Sequence, residues 1–329
     1  MYISFFHHYI PELFAFLAFI TNPCFIYLTY AEKFKLGNYA FLLYYFAIFN
    51  IFHSLLDIFV PIGVHGYRYC YLIFLSDGIL LEKSSLSMLL LAIRCSLIAC
   101  TYTILISHFV YRYLAVLGSI FINRLFPYFM IVTLLFCVIA SMFWIMIAYF
   151  VAVPNFEVRH YIQQNMYEIY GADSITLNFF ALLYQLLQKE STLETEIKSW
   201  IGVIAGSLVS ILSIFILMIL KFQIRKKLQS DRYRMSAGTA KMQLELLRSL
   251  VVQTVIPIIF SLAPCMLSWF TPMFNLKLDK WLNYTSAVPL SAFPFIDPFA
   301  VILCLPAFRR RLLGNAKPNT VVVSVASVI

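Results

Sequence analysis

Long apolar stretches alternate with short polar segments along the chain, and seven of the stretches are long enough to cross a membrane as helices. A helix needs about 20 apolar residues to cross roughly 30 Å of hydrocarbon, because each residue adds about 1.5 Å. The predicted spans are Ile10–Tyr30, Ala40–Ile62, Leu86–His108, Phe126–Val151, Ile201–Leu220, Ser249–Phe270 and Leu282–Leu305. The pattern predicts an all-α, polytopic membrane protein with a seven-transmembrane helix bundle in residues 10–305.

Lysine and arginine are divided unevenly between the two sides of the predicted membrane. One side holds sixteen of the 24, Arg94 lies within a span, and the other side holds seven: Arg68, Lys83, Arg159, Lys189, Lys198, Lys277 and Lys280. Cytoplasmic loops retain these residues, so the richer side is predicted to be inside. With an odd number of spans, we expect a short extracellular N-terminus (residues 1–9) and a short cytoplasmic tail (residues 306–329). The N-terminus lacks the basic segment of a removable signal peptide, so its first span should act as a signal-anchor.

A further apolar segment, Ser174–Leu187, lies between the fourth and fifth predicted spans. As a helix it would reach only about 21 Å, which is too short to cross the hydrocarbon core. Asn178 and Gln185 also lie within it. We therefore expect an extracellular helix over the mouth of the bundle, and a crossing segment is the minority alternative.

The composition supports a membrane protein and argues against other classes. Hydrophobic residues make up 62% of the chain and charged residues 12%, against about 25% charged in an average soluble domain. The net charge of +9 does not predict a nucleic-acid partner, because the basic residues lie between apolar segments rather than on a soluble surface. The cysteines lie mostly within predicted spans, and His53, His65 and His108 are too scattered for a metal site. We predict no metal and no cofactor.

Three ionisable residues lie at membrane depth, where each costs about 2.5–3.5 kcal/mol on insertion scales. They are Asp57, Arg94 and Asp297. Asp57 belongs to a polar stripe on the second span, and its predicted depth matches that of Arg94 on the third. A structural salt bridge is the favoured interpretation, since removing one partner strands the other. The alternative is that the two residues face a ligand.

Prolines mark two candidate hinges, and aromatic residues mark a candidate pocket. Pro257 and Pro264 remove backbone donors from the sixth span, and Pro298 follows Asp297 in the seventh. Paired kinks in adjacent helices are places where a bundle can bend. A small, mostly apolar ligand is predicted in the outer half of the bundle, among side chains such as Tyr102, Trp144 and Trp269, with Tyr102 at its floor.

The loop between the fifth and sixth spans, residues 221–248, carries eight basic residues against two acidic ones. Its second half has apolar residues at helical spacing and predicts a cytoplasmic extension of the sixth span. The loop is predicted to be a contact surface, or alternatively only a topology signal attracted to anionic lipid. After the seventh span, Pro306 can begin a short amphipathic helix that carries three arginines.

Several blocks of the sequence resemble the nematode serpentine chemoreceptors, specifically their str class. They include ISHFVYRYLAV at the end of the third span, IYGADSI before the fifth, and PFIDPFAVILCLPAFRRRLL at the end of the bundle. The resemblance covers nearly the whole chain. It implies a G-protein-coupled olfactory receptor that detects small environmental molecules, volatile ones included, in the ciliary plasma membrane of sensory neurons. Pro306, Ala307 and Phe308 depart from the polar residue and tyrosine expected before the arginines.

By the same resemblance, one end of the bundle would contact a heterotrimeric G protein. The predicted contact residues are Tyr111, Arg112, Tyr113, Arg225, Lys226, Lys227 and Arg248. No cysteine lies between Val151 and Trp200, so the usual disulfide from the third helix to the second outer loop cannot form.

The competing functions are less well supported. No convergent set of catalytic groups is visible, which argues against an enzyme. A small-molecule transporter or a ligand-gated channel subunit is the alternative, although the repeated halves of secondary carriers are not evident.

Overall fold

The seven predicted spans are seven long helices in the computed structural model, which describes residues 5–78, 80–119, 122, 124–185, 193–231, 233, 236–276 and 281–314. In chain order the spans are Phe5–Ala31, Tyr39–Phe59, Ser85–Val116, Phe126–Val151, Leu193–Ser230, Ala237–Met273 and Trp281–Cys304. This confirms the seven-span helical bundle. The fifth helix extends beyond both ends of the predicted Ile201–Leu220, because an apolar pattern does not detect polar turns outside the hydrocarbon.

A small antiparallel sheet covers one end of the bundle, which we call the sheet end. Its strands are β1 (Ile62–Tyr67), β2 (Cys70–Leu75) and β3 (Phe179–Leu183), in the order β1-β2-β3. The prediction of a helix over Ser174–Leu187 was therefore wrong in the part that the structure describes, since residues 179–183 pair with β2. Residues 186 and 187 lie outside the described part.

The local sequence explains how the sheet forms. Pro61 ends the second span, and Arg68 at the hairpin turn has a φ of 49°. Gly63 pairs with Phe74 across the hairpin, and a Cβ on Gly63 would lie 2.5 Å from the Phe74 ring. The aromatic ring thus covers the glycine, which fixes the register of β1 against β2.

A helix beside the sheet, Phe156–Tyr170, begins where the Asn155 side chain accepts a hydrogen bond from the Val158 amide at 2.9 Å. Its buried Arg159 organises the loop before β3. One guanidinium nitrogen donates to the carbonyls of Ser174 at 2.6 Å and Leu177 at 2.9 Å. Burial lowers the pKa of Arg159 from its ordinary value, and the carbonyl dipoles partly replace its lost hydration.

The opposite end of the bundle, which we call the tail end, is closed by the helix Pro306–Leu312. A helix starting at Pro306 was predicted and is confirmed. Phe308 is buried and its ring lies 5.8 Å from that of Phe25, while Arg311 Nε donates to Glu32 Oε1 at 3.0 Å. The tail from residue 315 onward lies outside the described residues, as do the basic residues Lys189, Arg232, Arg234, Lys277, Lys280 and Lys317 counted in the orientation prediction.

The sixth span has three parts: an α-helix Ala237–Pro257, a π-helical turn Ile258–Leu262, and an α-helix Ala263–Met273. The predicted helical extension before Ser249 is confirmed, since the helix begins at Ala237. The π turn lies between Pro257 and Pro264, the two residues predicted to disrupt the helix. Such turns are frequent at functional sites.

Candidate functional site

A cavity of about 370 Å³ lies beneath the sheet, enclosed by the third to seventh spans. Tyr102, Trp144 and Trp269, the three aromatic residues of the predicted pocket, all line it. A smaller cavity of about 100 Å³ adjoins it and shares Tyr71 and both tryptophans. The structure therefore brings these residues together around one space, and their contact with a ligand stays a prediction.

Among the side chains that the structure describes around the cavity, none is charged. The hydroxyls of Thr103, Ser210 and Ser213 each donate to a carbonyl of their own helix at 2.8–2.9 Å. Tyr102 differs: its hydroxyl has no hydrogen-bond partner among the described residues, and only 6% of the side chain is exposed. The cavity is thus suited to an apolar molecule, with one phenol available to orient it.

Gly206 on the fifth span lies against both tryptophans. A Cβ at this position would lie 3.1 Å from Trp269 and 3.2 Å from Trp144. The missing side chain therefore lets three spans approach one another at the sheet end of the cavity. Gly206 was not predictable, because a single glycine in an apolar helix gives no signal for what packs against it.

Asp57 and Arg94 form a salt bridge between the second and third spans. Arg94 Nη1 also donates to His53 Nε2 at 3.1 Å, and Ser291 Oγ of the seventh span donates to Asp57 Oδ1 at 3.2 Å. Since Nε2 accepts this bond, the proton of a neutral His53 lies on Nδ1, which is 3.3 Å from Asp57 Oδ2. The network joins three spans inside the bundle.

Neither member of the ion pair lines the cavity. Their inclusion in the ligand pocket is not supported by this geometry, because the two charged groups engage each other on the side of the third span that faces the second. The network nevertheless adjoins the cavity, because Cys95 and Leu290, the chain neighbours of Arg94 and Ser291, do line it.

Asp297, predicted as part of a hinge, is fully buried in the seventh span. Gln253 of the sixth span donates to Asp297 Oδ2 at 3.4 Å. The helix continues through Pro298 to Cys304. On the other side, Asn22 of the first span donates to the Pro294 carbonyl at 3.0 Å. Asp297 thus lies where the first, sixth and seventh spans are tied together, close to the prolines of the seventh.

At the tail end, Arg112 is buried, with 4% of its surface exposed. It donates to Gln243 Oε1 on the sixth span, and its guanidinium lies 5.4 Å from the Tyr39 ring centroid. Tyr39 in turn stacks on Tyr111 at 5.6 Å. Arg112 therefore links the third span to the second and the sixth. Gln243 was not predictable as a partner of Arg112, because 131 positions separate the two residues.

The other predicted contact residues at this end are more accessible. Arg225, Lys226 and Arg248 are exposed, and Lys227 is half-buried beside Asp231, with 3.0 Å between Nζ and Oδ2. Between them and Arg112 lies an apolar cluster that includes Tyr113, Ile224, Leu228 and Leu247. In this arrangement the third, fifth and sixth spans are packed together at the tail end, so Arg112 and the exposed basic residues do not share an open cleft.

A protein-family model described as serpentine type 7TM GPCR chemoreceptor Srj matches residues 1–312. The chain belongs to this family. It is a nematode-type serpentine chemoreceptor of the G-protein-coupled class, which confirms the function that the resemblance implied. The alternative of a transporter or channel subunit is not favoured. The family is one of membrane receptors rather than enzymes. As G-protein-coupled receptors, its members bind ligands and G proteins.

Curated relatives agree with the assignment of this receptor to the Srj family. It is 38% identical over 313 residues to Serpentine receptor class J-38 of Caenorhabditis elegans, with 95% of this chain and 94% of that receptor covered. It is 22% identical over 303 residues to Serpentine receptor class r-10 of Caenorhabditis briggsae, with 89% and 85% covered. It is also 23% identical over 331 residues to the G-protein coupled receptor str-33 of Caenorhabditis elegans, with 96% and 94% covered. The finer prediction of the str class is corrected to Srj.

Proposed function

We propose that this receptor binds a small, mostly apolar molecule, volatile compounds included, in the cavity beneath the sheet. The uncharged lining and the Tyr102 hydroxyl, which has no hydrogen-bond partner among the described residues, support this proposal. Trp144 and Trp269 provide broad apolar faces for the ligand. Asp57 and Arg94 act indirectly, by holding the second, third and seventh spans in place around it.

The receptor is proposed to lie in the plasma membrane of a sensory cilium, with the sheet end outside. The distribution of basic residues supports this orientation. Of the described residues, the exposed Arg225, Lys226 and Arg248 lie at the tail end, as do the three arginines of the helix Pro306–Leu312. The N-terminus would then be extracellular and the C-terminus cytoplasmic.

The tail end is proposed to bind a heterotrimeric G protein after the sixth span moves outward. The buried Arg112 held by Gln243 is the observation that carries this proposal. Because Gln243 lies on the sixth span, an outward swing breaks the contact and opens a cleft. Arg112, Arg225, Lys226 and Lys227 would line the cleft, flanked by Tyr111, Tyr113 and Arg248, and favour an acidic surface on the partner.

Two structural features provide the hinges for this movement. The π turn between Pro257 and Pro264 lies above the part of the sixth span that carries Gln243. Asp297 and Pro298 lie on the adjacent seventh span, where Gln253 contacts the Asp297 carboxylate. A ligand that binds the open arrangement better than the closed one shifts the population toward coupling.

The coupling proposal can be tested without a known ligand. Replacing Gln243 with alanine removes the acceptor that holds Arg112 in the closed arrangement. We expect Gln243→Ala to raise basal nucleotide exchange on a purified heterotrimeric G protein, by about fivefold if the lost contact contributes about 1 kcal/mol. Adding Arg112→Gln, or neutralising Arg225, Lys226 and Lys227 together with glutamine, should return exchange to the wild-type level or below.

The matched control is the pair Arg309→Gln and Arg310→Gln, which removes exposed charge at the same end of the bundle. All variants are compared at equal surface level or equal receptor concentration. If Gln243→Ala leaves exchange unchanged, or if the control pair lowers it as much as the Arg225 to Lys227 variant does, the coupling role is refuted. The basic residues would then serve only as topology determinants.

A further inference from the structure

The sheet seals the cavity from the side that we propose faces water. Val64 and Tyr71 line the cavity and are buried, and they pack in one cluster with Tyr184 and Val203. Trp269 and Met273 of the sixth span lie against the same cluster. A molecule entering from this side would have to separate the sheet from the bundle.

The wall formed by the fourth span is different. Phe136, Ile139 and Phe143 line the cavity, yet 45%, 55% and 48% of their surfaces are exposed. The facing wall of the fifth span consists of Val209, Ser210 and Ser213, which are only half-buried. Between these two helices the cavity wall is therefore a single side chain thick.

This thin wall lies at the depth of the hydrocarbon. Toward the sheet end the two spans touch, since a Cβ on Gly202 would overlap Val151 Cγ1. Val209 and Ser213 lie about 10 to 17 Å farther along the fifth helix, at 1.5 Å for each residue. Because the hydrocarbon core is roughly 30 Å thick, the thin wall faces lipid chains rather than head groups or water.

We propose that the ligand enters the cavity sideways, from the hydrocarbon of the membrane, between the fourth and fifth spans. This inference rests on the proposed function, in which the cavity holds the ligand. It specifies the ligand as a neutral, lipophilic molecule with one hydrogen-bond acceptor, such as a carbonyl or ether oxygen, for the Tyr102 hydroxyl. A charged molecule is excluded twice, by the cost of crossing hydrocarbon and by the uncharged lining.

The test uses the purified full-length receptor in phospholipid vesicles and two photoreactive probes. One is a neutral trifluoromethyl aryl diazirine, and the other is its quaternary ammonium derivative. Each probe is mixed with the vesicles, irradiated after increasing delays, and mapped by mass spectrometry of the receptor. The neutral probe should label the third span at and around Tyr102, and the ammonium probe should label that site at least about tenfold more slowly.

Ile139→Trp places a large side chain in the thin wall, and Val138→Trp is its matched control. Val138 neighbours Ile139 and is similarly exposed, but it does not line the cavity. Ile139→Trp should slow labelling of Tyr102 by the neutral probe about tenfold, equivalent to about 1.4 kcal/mol of added barrier. The final extent of Tyr102 labelling after long delays should be unchanged, since the cavity itself remains. Labelling of the lipid-facing Leu135 should be equal in both variants.

Several results would overturn the proposal. Equal rates in Ile139→Trp and Val138→Trp would show that the ligand path lies elsewhere. A lower plateau with an unchanged rate would show that tryptophan fills the cavity rather than blocking it. Equally fast labelling by the ammonium probe would place the entrance at the aqueous end, and no labelling of the third span by either probe would close the cavity to ligands altogether. The Gln243→Ala exchange assay needs no ligand, so its outcome is independent of the labelling results.

Discussion

At the scale of single residues, the buried charges of Asp57 and Arg94 stabilise the bundle only as a pair. Arg94 is fully buried, Ser291 donates a hydrogen bond to Asp57 Oδ1, and His53 Nδ1 lies 3.3 Å from Asp57 Oδ2. Removing either charge leaves the other buried without its counter-ion, at a cost of about 3–5 kcal/mol. Asp57→Asn and Arg94→Gln should each lower the surface level of the receptor, measured by flow cytometry with an N-terminal tag.

Exchanging the two charges separates a pair from two independent roles. Asp57→Arg combined with Arg94→Asp should recover part of the surface level lost in the single variants, because opposite charges again face each other. The exposed Arg124 provides the control, since Arg124→Gln removes a positive charge without leaving a buried charge unpaired. Additive losses in the exchanged variant would contradict the pairing.

Because His65 is buried in β1, we expect the sheet to lose stability in acid. Nε2 of His65 lies 2.8 Å from Asn165 Oδ1, and Nδ1 lies 3.3 Å from the Tyr170 hydroxyl. Burial lowers the pKa of His65 below its ordinary value, and the hydrogen bond to Asn165 opposes this effect. The unfolded hairpin therefore binds a proton more readily than the folded one. The stability of the sheet is fully present above about pH 6.5 and decreases as the pH falls toward the lowered value, by at most about 1.4 kcal/mol per pH unit.

Hydrogen exchange of the β1 and β2 amides, corrected for its intrinsic pH dependence, measures this effect. Exchange should be faster at pH 5.5 than at pH 7.5 in the wild type. In His65→Gln the difference should disappear, because glutamine does not titrate. A pH dependence that persists in His65→Gln would assign the effect to another group.

The sequence predicted some residues of the site and could not predict others. The buried polar stripe of Asn50, His53 or Ser54, and Asp57 was visible because its helical spacing is local. Tyr102 was placed at the floor of a pocket from helical rise alone, and it does line the cavity. Gln243 and Ser291 were not identified, since their partners are 131 and 234 positions away, and no local pattern encodes such contacts.

At the scale of elements, Gly202 sets how closely the fourth and fifth spans approach. A methyl group there would overlap Val151 Cγ1, which is itself buried. Gly202→Ala should therefore destabilise the receptor by about 1–3 kcal/mol through overpacking, seen as a lower midpoint of thermal unfolding in nanodiscs. Adding Val151→Ala removes the overlapping atom and should restore most of the midpoint. If the double variant is no more stable than Gly202→Ala, the close approach is not the cause.

The helical spans could be predicted from the sequence, whereas β3 and the π turn could not. Seven spans were predictable because each buries its backbone hydrogen bonds within one apolar segment, which is a local property. The strand β3 was missed because it pairs with β2 more than a hundred positions earlier. Residues 174–187 are apolar at both helical and strand spacing, so local periodicity could not decide between them. The prolines of the sixth span marked an irregularity, but they did not specify a π turn.

At the scale of the whole molecule, the cavity and the Arg112 contact lie near opposite ends of the sixth span. Trp269 and Cys265 line the cavity on one side of the π turn, and Gln243 holds Arg112 on the other. In the proposed mechanism, a ligand that displaces Trp269 therefore changes the angle between the two halves of the span. The packing of the third, fifth and sixth spans at the tail end and the contact between Arg112 and Gln243 both oppose this change of angle. The extent of coupling is therefore set by how much more tightly the ligand binds the open arrangement than the closed one.

The orientation of the bundle decides which end meets the ligand. Short loops rich in lysine and arginine stay in the cytoplasm during insertion, and sixteen such residues against seven favour a cytoplasmic tail end. One epitope tag at the N-terminus and another beside Tyr233, which is 97% exposed, test this in cultured cells. Antibody should reach the N-terminal tag in intact cells and the second tag only after permeabilisation. The reverse result would turn the sheet toward the cytoplasm, so Arg112 could no longer serve a cytoplasmic G protein, whereas sideways entry from the hydrocarbon would remain open to the ligand.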